Sequence, residues 1–275
     1  MRMLALAMLA VVACGRATPP PPAGGARLVT LMPSGTEVVA ALGATAELVG
    51  VDRYSKYPPE VAALPRVGTF TAPDLEAIVR LHPTLVIVDS TQDRVAAALR
   101  DHGIPSVACA MLGLHDVTTG LRAVGDAIGR RREADAAIAA IDAAVAGAAA
   151  HRPAHHPRVL AIIDREAGGL GNLVAAGPGS YVDELLAVVG GDNVLAGSGV
   201  RYPKISLEEV LRGQPDVILD LSYAARDGEV AAWQDVDVPA VRAHRVRALA
   251  DDVLQAPSPR VAQALAALAA AISVP

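Results

Sequence analysis

DVTTGLRAVGDAIGRRREADAAIAAIDAAVAGAAA, residues 116–150, is the stretch on which the reading of the fold turns. Its 35 residues contain no proline and are rich in Ala, Arg, Asp, Glu and Ile, which predicts a long helix. Gly120, Gly125, Gly129 and Gly147 are its weak points, and a break near Gly129-Arg130-Arg131-Arg132 stays open. Unbroken, it would span about 50 Å at about 1.5 Å per residue, enough to bridge two domains. The segment His151-Arg152-Pro153-Ala154-His155-His156-Pro157 then stops it.

On both sides of this rod the pattern alternates between strand and helix. Before it, apolar runs at 28–31, 48–51, 84–89 and 106–110 read as strands. Helices are predicted over 36–42, with Thr36 or Ser34 as cap and Gly43 as stop, and over 74–81 and 94–102. After it come strands at 159–163 and 217–221 and helices at 181–189, 207–212 and 259–272. Such alternation predicts an α/β fold with parallel sheets. The halves also echo each other. Phe70-Thr-Ala-Pro-Asp-Leu-Glu76-Ala-Ile-Val-Arg80-Leu-His-Pro83 lies over Tyr202-Pro-Lys-Ile-Ser-Leu-Glu208-Glu-Val-Leu-Arg212-Gly-Gln-Pro215 at a constant offset of 132, with four of fourteen positions identical. Because the match straddles the rod, it predicts two lobes related by a pseudo-twofold axis. The organisation is a lobe over 27–115, a bridging helix over 116–151 and a lobe over 157–275.

The chain of 275 residues is 52% hydrophobic, 19% charged and only 3% aromatic, which excludes a disordered chain. Its net charge of −5 comes without any basic stripe, so nucleic acid is excluded as a partner. Residues 1–13 read as an export signal: Arg2 precedes the apolar run Leu4–Val12, which is too short to cross a bilayer. Cys14 after Val11-Val12-Ala13 fits a bacterial lipobox, in which its thiol would carry diacylglycerol; an ordinary signal peptide is the alternative. Residues 14–26, with four consecutive prolines, then form the tether. This predicts an exported, periplasmic, membrane-anchored lipoprotein that meets the membrane through the anchor alone. Cys109 has no disulfide partner once Cys14 is lipidated and reads as a buried, inert thiol.

Catalytic motifs are absent. There is no Gly-x-Ser-x-Gly elbow, phosphate loop, dinucleotide fingerprint or His-Glu-x-x-His pair, and Gly168-Gly169-Leu170-Gly171 lacks a third fingerprint glycine. The seven histidines lie mostly at helix ends or in the proline linker, where solvation explains them better than a metal does. A hydrolase built on Ser34 or Ser180 has no identifiable His–Asp partners. The aromatic residues carry more. Tyr54, Tyr57, Phe70, Tyr202 and Tyr223 fall beside strands or before helices, not inside strands. In open α/β sheets the loops at strand C-termini line the ligand crevice, and flat side chains there can stack on a planar ligand. Trp233 reads as packing. Glu76 and Glu208 occupy equivalent first-turn positions, so they serve either the helix dipole or a twofold-symmetric partner.

Residues Arg27 to Ser273 resemble the ABC-transporter substrate-binding proteins of the cobalamin and iron-siderophore class. The resemblance is carried by Arg27-Leu-Val-Thr-Leu-Met-Pro-Ser34-Gly-Thr36-Glu37, by Gly50-Val-Asp-Arg-Tyr54-Ser-Lys-Tyr57-Pro-Pro, by Val67-Gly-Thr-Phe70 to Pro83, and by Ile205-Ser-Leu-Glu208 to Pro215-Asp216. The Tyr-Ser-x-Tyr-Pro-Pro run is similar to the cobalamin-binding members in particular. The resemblance implies two Rossmann-like α/β lobes joined by a single long helix, with a ligand cleft between them and no catalysis, cofactor or bound metal. It implies a monomer that delivers a corrinoid to an ABC permease dimer with its ATPase subunits. The resemblance implies that Tyr54, Phe70 and Tyr202 face the corrinoid, with Asp252 as an acidic contact, and that Glu76 and Glu208 meet permease arginines; Ser34, Gly35, Arg53, Arg201 and Tyr223 complete the expected ligand set. An iron–siderophore or haem receptor is the alternative within the class, the former served by Arg53 and Arg201 and the latter by an axial Tyr54 or Tyr202. Asp89 stands where cobalamin binders can carry a tryptophan.

Overall fold

The computed structural model describes residues 25–228, 230–249 and 252–273, so the export signal, Cys14 and most of the tether lie outside the described residues. The strands are β1 Leu28–Thr30, β2 Leu48–Val51, β3 Leu85–Asp89, β4 Ser106–Cys109, β5 Arg158–Asp164, β6 Val174–Ala175, β7 Asp192–Asn193, β8 Val217–Asp220 and β9 Val246–Ala248. The helices are α1 Pro33–Ala41, α2 Leu75–Arg80, α3 Asp93–Asp101, α4 Leu114–Ala127, α5 Arg131–Ala150, α6 Tyr181–Val189, α7 Leu207–Gly213, α8 Pro239–Arg242, α9 Asp252–Gln255 and α10 Val261–Ile272.

Two sheets result, one on each side of α5. The first, in the order β2-β1-β3-β4, is entirely parallel. The second runs β6-β5-β8-β9, with β7 pairing β5; only the β5–β6 ladder is antiparallel. The pairings β1–β3–β4 and β5–β8–β9 are equivalent. So are α2 and α7, whose first residues, Leu75 and Leu207, preserve the offset seen in the sequence. Each starts on a side-chain cap: Asp74 accepts from Ala77 N–H, and Ser206 accepts from Glu209 N–H.

Alternation along the strands explains the layering, because successive residues face opposite sides. Leu28 and Ile87 point inward, while Val29, Val86 and Val88 point to an outer core with Ile78 and Leu99. In the second lobe Val159, Ala161, Val217 and Leu219 point inward, and Leu160, Ile162 and Ile218 meet Trp233 and Ala240 outside. The inner faces share one apolar cluster, with Ile138 and Ile141 of α5 between Val38 of α1 and Leu265 of α10.

The bridging helix expected over 116–151 is two helices. α4 ends at Ala127, and Gly129 takes φ +72°, a left-handed turn that an α-helix cannot contain. The chain restarts at Arg131, and the two helices pack together where Gly125 lies against Ala134. The connector between the sheets is therefore α5 alone, about 30 Å long at about 1.5 Å per residue. It packs on α1 and α4 of one lobe and on α6 and α10 of the other. At α1 the expected caps fail: Met32 is the N-cap, without a side-chain bond, and Thr36 turns into the interior. Gly43, with φ +67°, does stop the chain after it. Cys109 is buried, which pushes its thiol up to about 11.

Gly129→Ala forces a Cβ into the left-handed turn, and we expect it to lower stability by about 1–2 kcal/mol in urea unfolding without altering the far-ultraviolet spectrum.

Candidate ligand cleft

Helices that follow parallel strands begin at the strands' C-terminal ends, and the loops there carry the aromatic side chains. The core is aliphatic. Of the seven aromatic residues only Trp233 and Tyr181 are buried, while Tyr54 is 57% exposed, Tyr57 41%, Phe70 39%, Tyr202 43% and Tyr223 59%.

Polar groups buried beneath the rim hold its loops. Behind Tyr54, the Asp52 carboxylate accepts from Tyr54 N–H at 2.8 Å and from the Ser55 hydroxyl. Ser55 Oγ in turn bonds Thr36 Oγ1 at 2.7 Å, which bonds Thr30 Oγ1 at 2.5 Å. Burial pushes the Asp52 carboxyl above its ordinary value, and the bonds from Ser55 and Tyr54 oppose that push. Phe70 is tied to the end of β3: Gln92 Nε2 donates to its carbonyl at 2.7 Å, while Gln92 Oε1 accepts from Asp89 N–H at 2.9 Å. The Asp89 carboxylate accepts from the N–H and hydroxyl of Thr91.

The second lobe repeats that last device and charges it. Asp220, at the end of β8, accepts from the N–H and hydroxyl of Ser222, immediately before Tyr223. Its other oxygen accepts from Arg165 Nε at 2.6 Å and from Trp233 Nε1 at 3.0 Å. Arg165 also donates to the carbonyls of Glu166 and Gly169, which organises the glycine-rich loop after β5. Gly168-Gly169-Leu170-Gly171 is thus a rim loop fastened from below.

Between the lobes four helix starts converge. Arg260, the N-cap residue of α10, donates from Nε and Nη2 to both oxygens of Glu37 on α1, at 2.8 and 2.6 Å. The Tyr57 ring lies 4.2 Å from the same guanidinium. Glu184 of α6 accepts from Leu114 N–H, the first amide of α4, at 2.5 Å. Tyr181 lies between, near the charges of Glu37, Arg260 and Glu184, and burial raises its phenol far above the usual value. Its hydroxyl, close to the Ser258 main chain, has no hydrogen bond of good geometry among the described residues. Burial pushes the Tyr202 phenol up as well.

The residues expected to touch ligand divide. Tyr54, Phe70, Tyr202 and Tyr223 are exposed on rim loops, with Arg53 and Arg201 exposed beside the first and third. Asp252 is exposed at the start of α9. Ser34 and Gly35 are buried instead, and a Cβ at Gly35 would meet Ile87 and Met32, so this glycine serves helix-to-sheet packing. Ser180 caps α6, accepting from Asp183 N–H and donating to Gly177, a structural role rather than that of a nucleophile. Glu76 and Glu208 are solvent-exposed at matching positions, and the Ser206 hydroxyl holds the Glu208 carboxyl below its ordinary value. Among the described residues no group of three or more acidic, histidine or cysteine side chains could hold a metal ion. The reading of the sequence missed Glu37, Glu184 and Arg260. Its available signal was a carboxylate inside an apolar helix, as in Thr36-Glu37-Val38-Val39, because a buried charge needs a partner.

Asp220→Ala removes the buried carboxylate that takes both Arg165 Nε and Trp233 Nε1. We expect a loss of about 3–5 kcal/mol in unfolding. Trp233, the sole tryptophan, reports the transition and should emit at longer wavelength in the variant.

Known proteins agree with this architecture. The periplasmic binding protein family matches residues 28–253. A vitamin B12-binding protein of Salmonella typhimurium is 32% identical over 213 residues, 74% of each chain. A periplasmic haem-binding protein from Roseiflexus sp. RS-1, solved in its apo form, is 33% identical with a TM-score of 0.78, covering 90% of this chain and 98% of that one. The periplasmic vitamin B12-binding protein of Vibrio cholerae is 27% identical with a TM-score of 0.73, covering 89% of this chain and 95% of that one. With its two parallel-sheet lobes and a family match across nearly their whole length, the chain belongs to the periplasmic binding proteins, which bind solutes rather than transform them.

Proposed function

We propose that this protein captures a corrinoid between its two aromatic rims and hands it unchanged to a membrane importer. The observation that carries the reading is the exposure of five of seven aromatic side chains on loops at strand ends, above an otherwise aliphatic core. Exposed rings lose hydrophobic free energy unless something covers them, and a broad planar ligand does so at small entropic cost. Phe70 and Tyr202, matched by the internal repeat, would face the ligand from opposite lobes, with Tyr54 and Tyr223 beside them. Arg53, Arg201 and Asp252 would meet its polar substituents. Cys14 would carry the lipid that keeps the receptor at the membrane. Glu76 and Glu208, equivalent and exposed, would engage the two halves of a permease dimer driven by its ATPase subunits.

A haem ligand is the second reading, favoured by the 33% identity to a haem-binding protein. Ferric haem held by a tyrosine needs a phenolate. At Tyr202 burial shifts the phenol the other way, which favours stacking over iron ligation there.

Titration with cyanocobalamin, haemin and a ferric hydroxamate, followed by protein fluorescence and the visible bands of each ligand, separates these readings. Saturable binding of cyanocobalamin is expected, weakened about tenfold (~1.4 kcal/mol) by Phe70→Ala or Tyr202→Ala. Tight haemin binding with no response to the corrinoid would overturn the choice of ligand. Glu76→Arg and Glu208→Arg are expected to leave the affinity unchanged and to abolish corrinoid uptake by whole cells. A loss of affinity in either would refute their docking role.

A further inference from the structure

The internal pseudo-symmetry pairs α1 with α6, each packed beside the central strands, and α4 with α10, each following the strand beyond β3 or β8. Within each lobe α1 packs on α4 and α6 packs on α10, and all four touch α5. Against that background two polar ties among the described residues cross the lobe boundary in opposite directions, each from a glutamate to the start of a helix. Glu37 of α1 reaches over to the start of α10, where it holds Arg260 through two bonds. Glu184 of α6 reaches the other way to the start of α4, where it takes the Leu114 amide. Each lobe thus sends one carboxylate from the first turns of its inner helix to the N-terminus of a helix in the opposite lobe. Helix N-termini carry partial positive charge and unpaired amides, so an acid is the group that suits them.

We propose that Glu37 and Glu184 form a reciprocal clasp that fixes the angle between the lobes, and with it both the gap between the rims and the spacing of Glu76 and Glu208. Two further features fit this assignment. Gly113, the N-cap of α4, leaves room for the visiting carboxylate: a Cβ there would lie 2.8 Å from both oxygens of Glu184. Tyr57, on the loop that carries Tyr54, stacks on Arg260, so the first clasp is joined to the first rim. Glu37 and Glu184 are positioning residues, acting on the ligand through the rims.

The test measures lobe spacing directly. Spin labels are placed at Glu76→Cys and Glu208→Cys in the full chain carrying Cys14→Ser and Cys109→Ala, and the distance distribution is read by double electron–electron resonance. The clasped parent should give one narrow distance. Glu37→Gln removes the charge facing Arg260, and Gly113→Ala displaces the Glu184 carboxylate while keeping it in the chain. Each should broaden the distribution about twofold, and the pair should add a second, separate distance, as expected when a packed interface gains a second arrangement. Gly129→Ala lowers stability away from the clasp and should leave the distance narrow. An unchanged distribution in folded Glu37→Gln and Gly113→Ala overturns the proposal, as does equal broadening in Gly129→Ala. The assignment rests on the rims as ligand site only for its consequence in binding. The distance needs no ligand, so its outcome is distinct from that of the corrinoid titration.

Discussion

Leu28 and Val38 of one lobe, Val159 and Leu265 of the other, and Ile138 and Ile141 of the connecting helix belong to one apolar cluster, so the inner faces of the two sheets share a single core. Swinging the lobes apart would bring part of that cluster into water. Exposure of even ~100 Å² of apolar surface costs roughly 2.5 kcal/mol, a large share of the stability of an ordinary domain. The connection through α5 adds to the restraint, because a helix buried against both lobes cannot bend as a pair of extended linkers can. In a protein built in this way packing holds the angle between the lobes.

The loops that carry the exposed rings are held as firmly as the lobes. The exposed rings stand on loops whose main chains are fastened by buried acids: Asp52 under Tyr54, Asp89 and Gln92 under Phe70, Asp220 under Ser222 and Tyr223. The main chain is thus ordered in advance, and the rings keep only their own torsions to lose. Ordering that is complete before binding is not subtracted from affinity. The buried acids cost desolvation, visible in the raised carboxyl of Asp52, and each is offset by hydrogen bonds from the loop it holds.

Much of this was legible in the sequence, for physical reasons that also mark where legibility stops. The repeat about Glu76 and Glu208 could be read because a cap, a short helix, a proline and a buried strand leave a compact signature, and both copies fold alike. The aromatic rim was readable because rings were scarce and lay beside strands. The rod was half readable: its composition is helical throughout, but a single left-handed glycine divides it, and nothing in a glycine's identity tells which of four such residues will turn. β6, β7 and β9, of two or three residues each, owe their existence to pairing with β5 and β8 and carry no pattern of their own. Ser34 and Gly35 were drawn into the ligand set by their place in a motif, whereas their burial follows from packing against Met32 and Ile87, which the motif does not reveal. Glu37 and Arg260, 223 residues apart, meet only in the folded chain.

The symmetry of the frame stops at the rims. Both central strands end in an aspartate that closes the same small turn, Asp89 with Thr91 and Asp220 with Ser222. Beyond that turn the lobes differ. The first lobe sets an arginine on main-chain carbonyls, Arg66 donating to those of Asp52 and Ser55, whereas the second buries an arginine and the only tryptophan directly on its aspartate. An arginine on carbonyls beneath Tyr54 and an arginine on a carboxylate beneath Tyr223 thus give the two rims different foundations on a common frame. The exposed helix starts that bear Glu76 and Glu208, by contrast, keep the twofold relation of that frame.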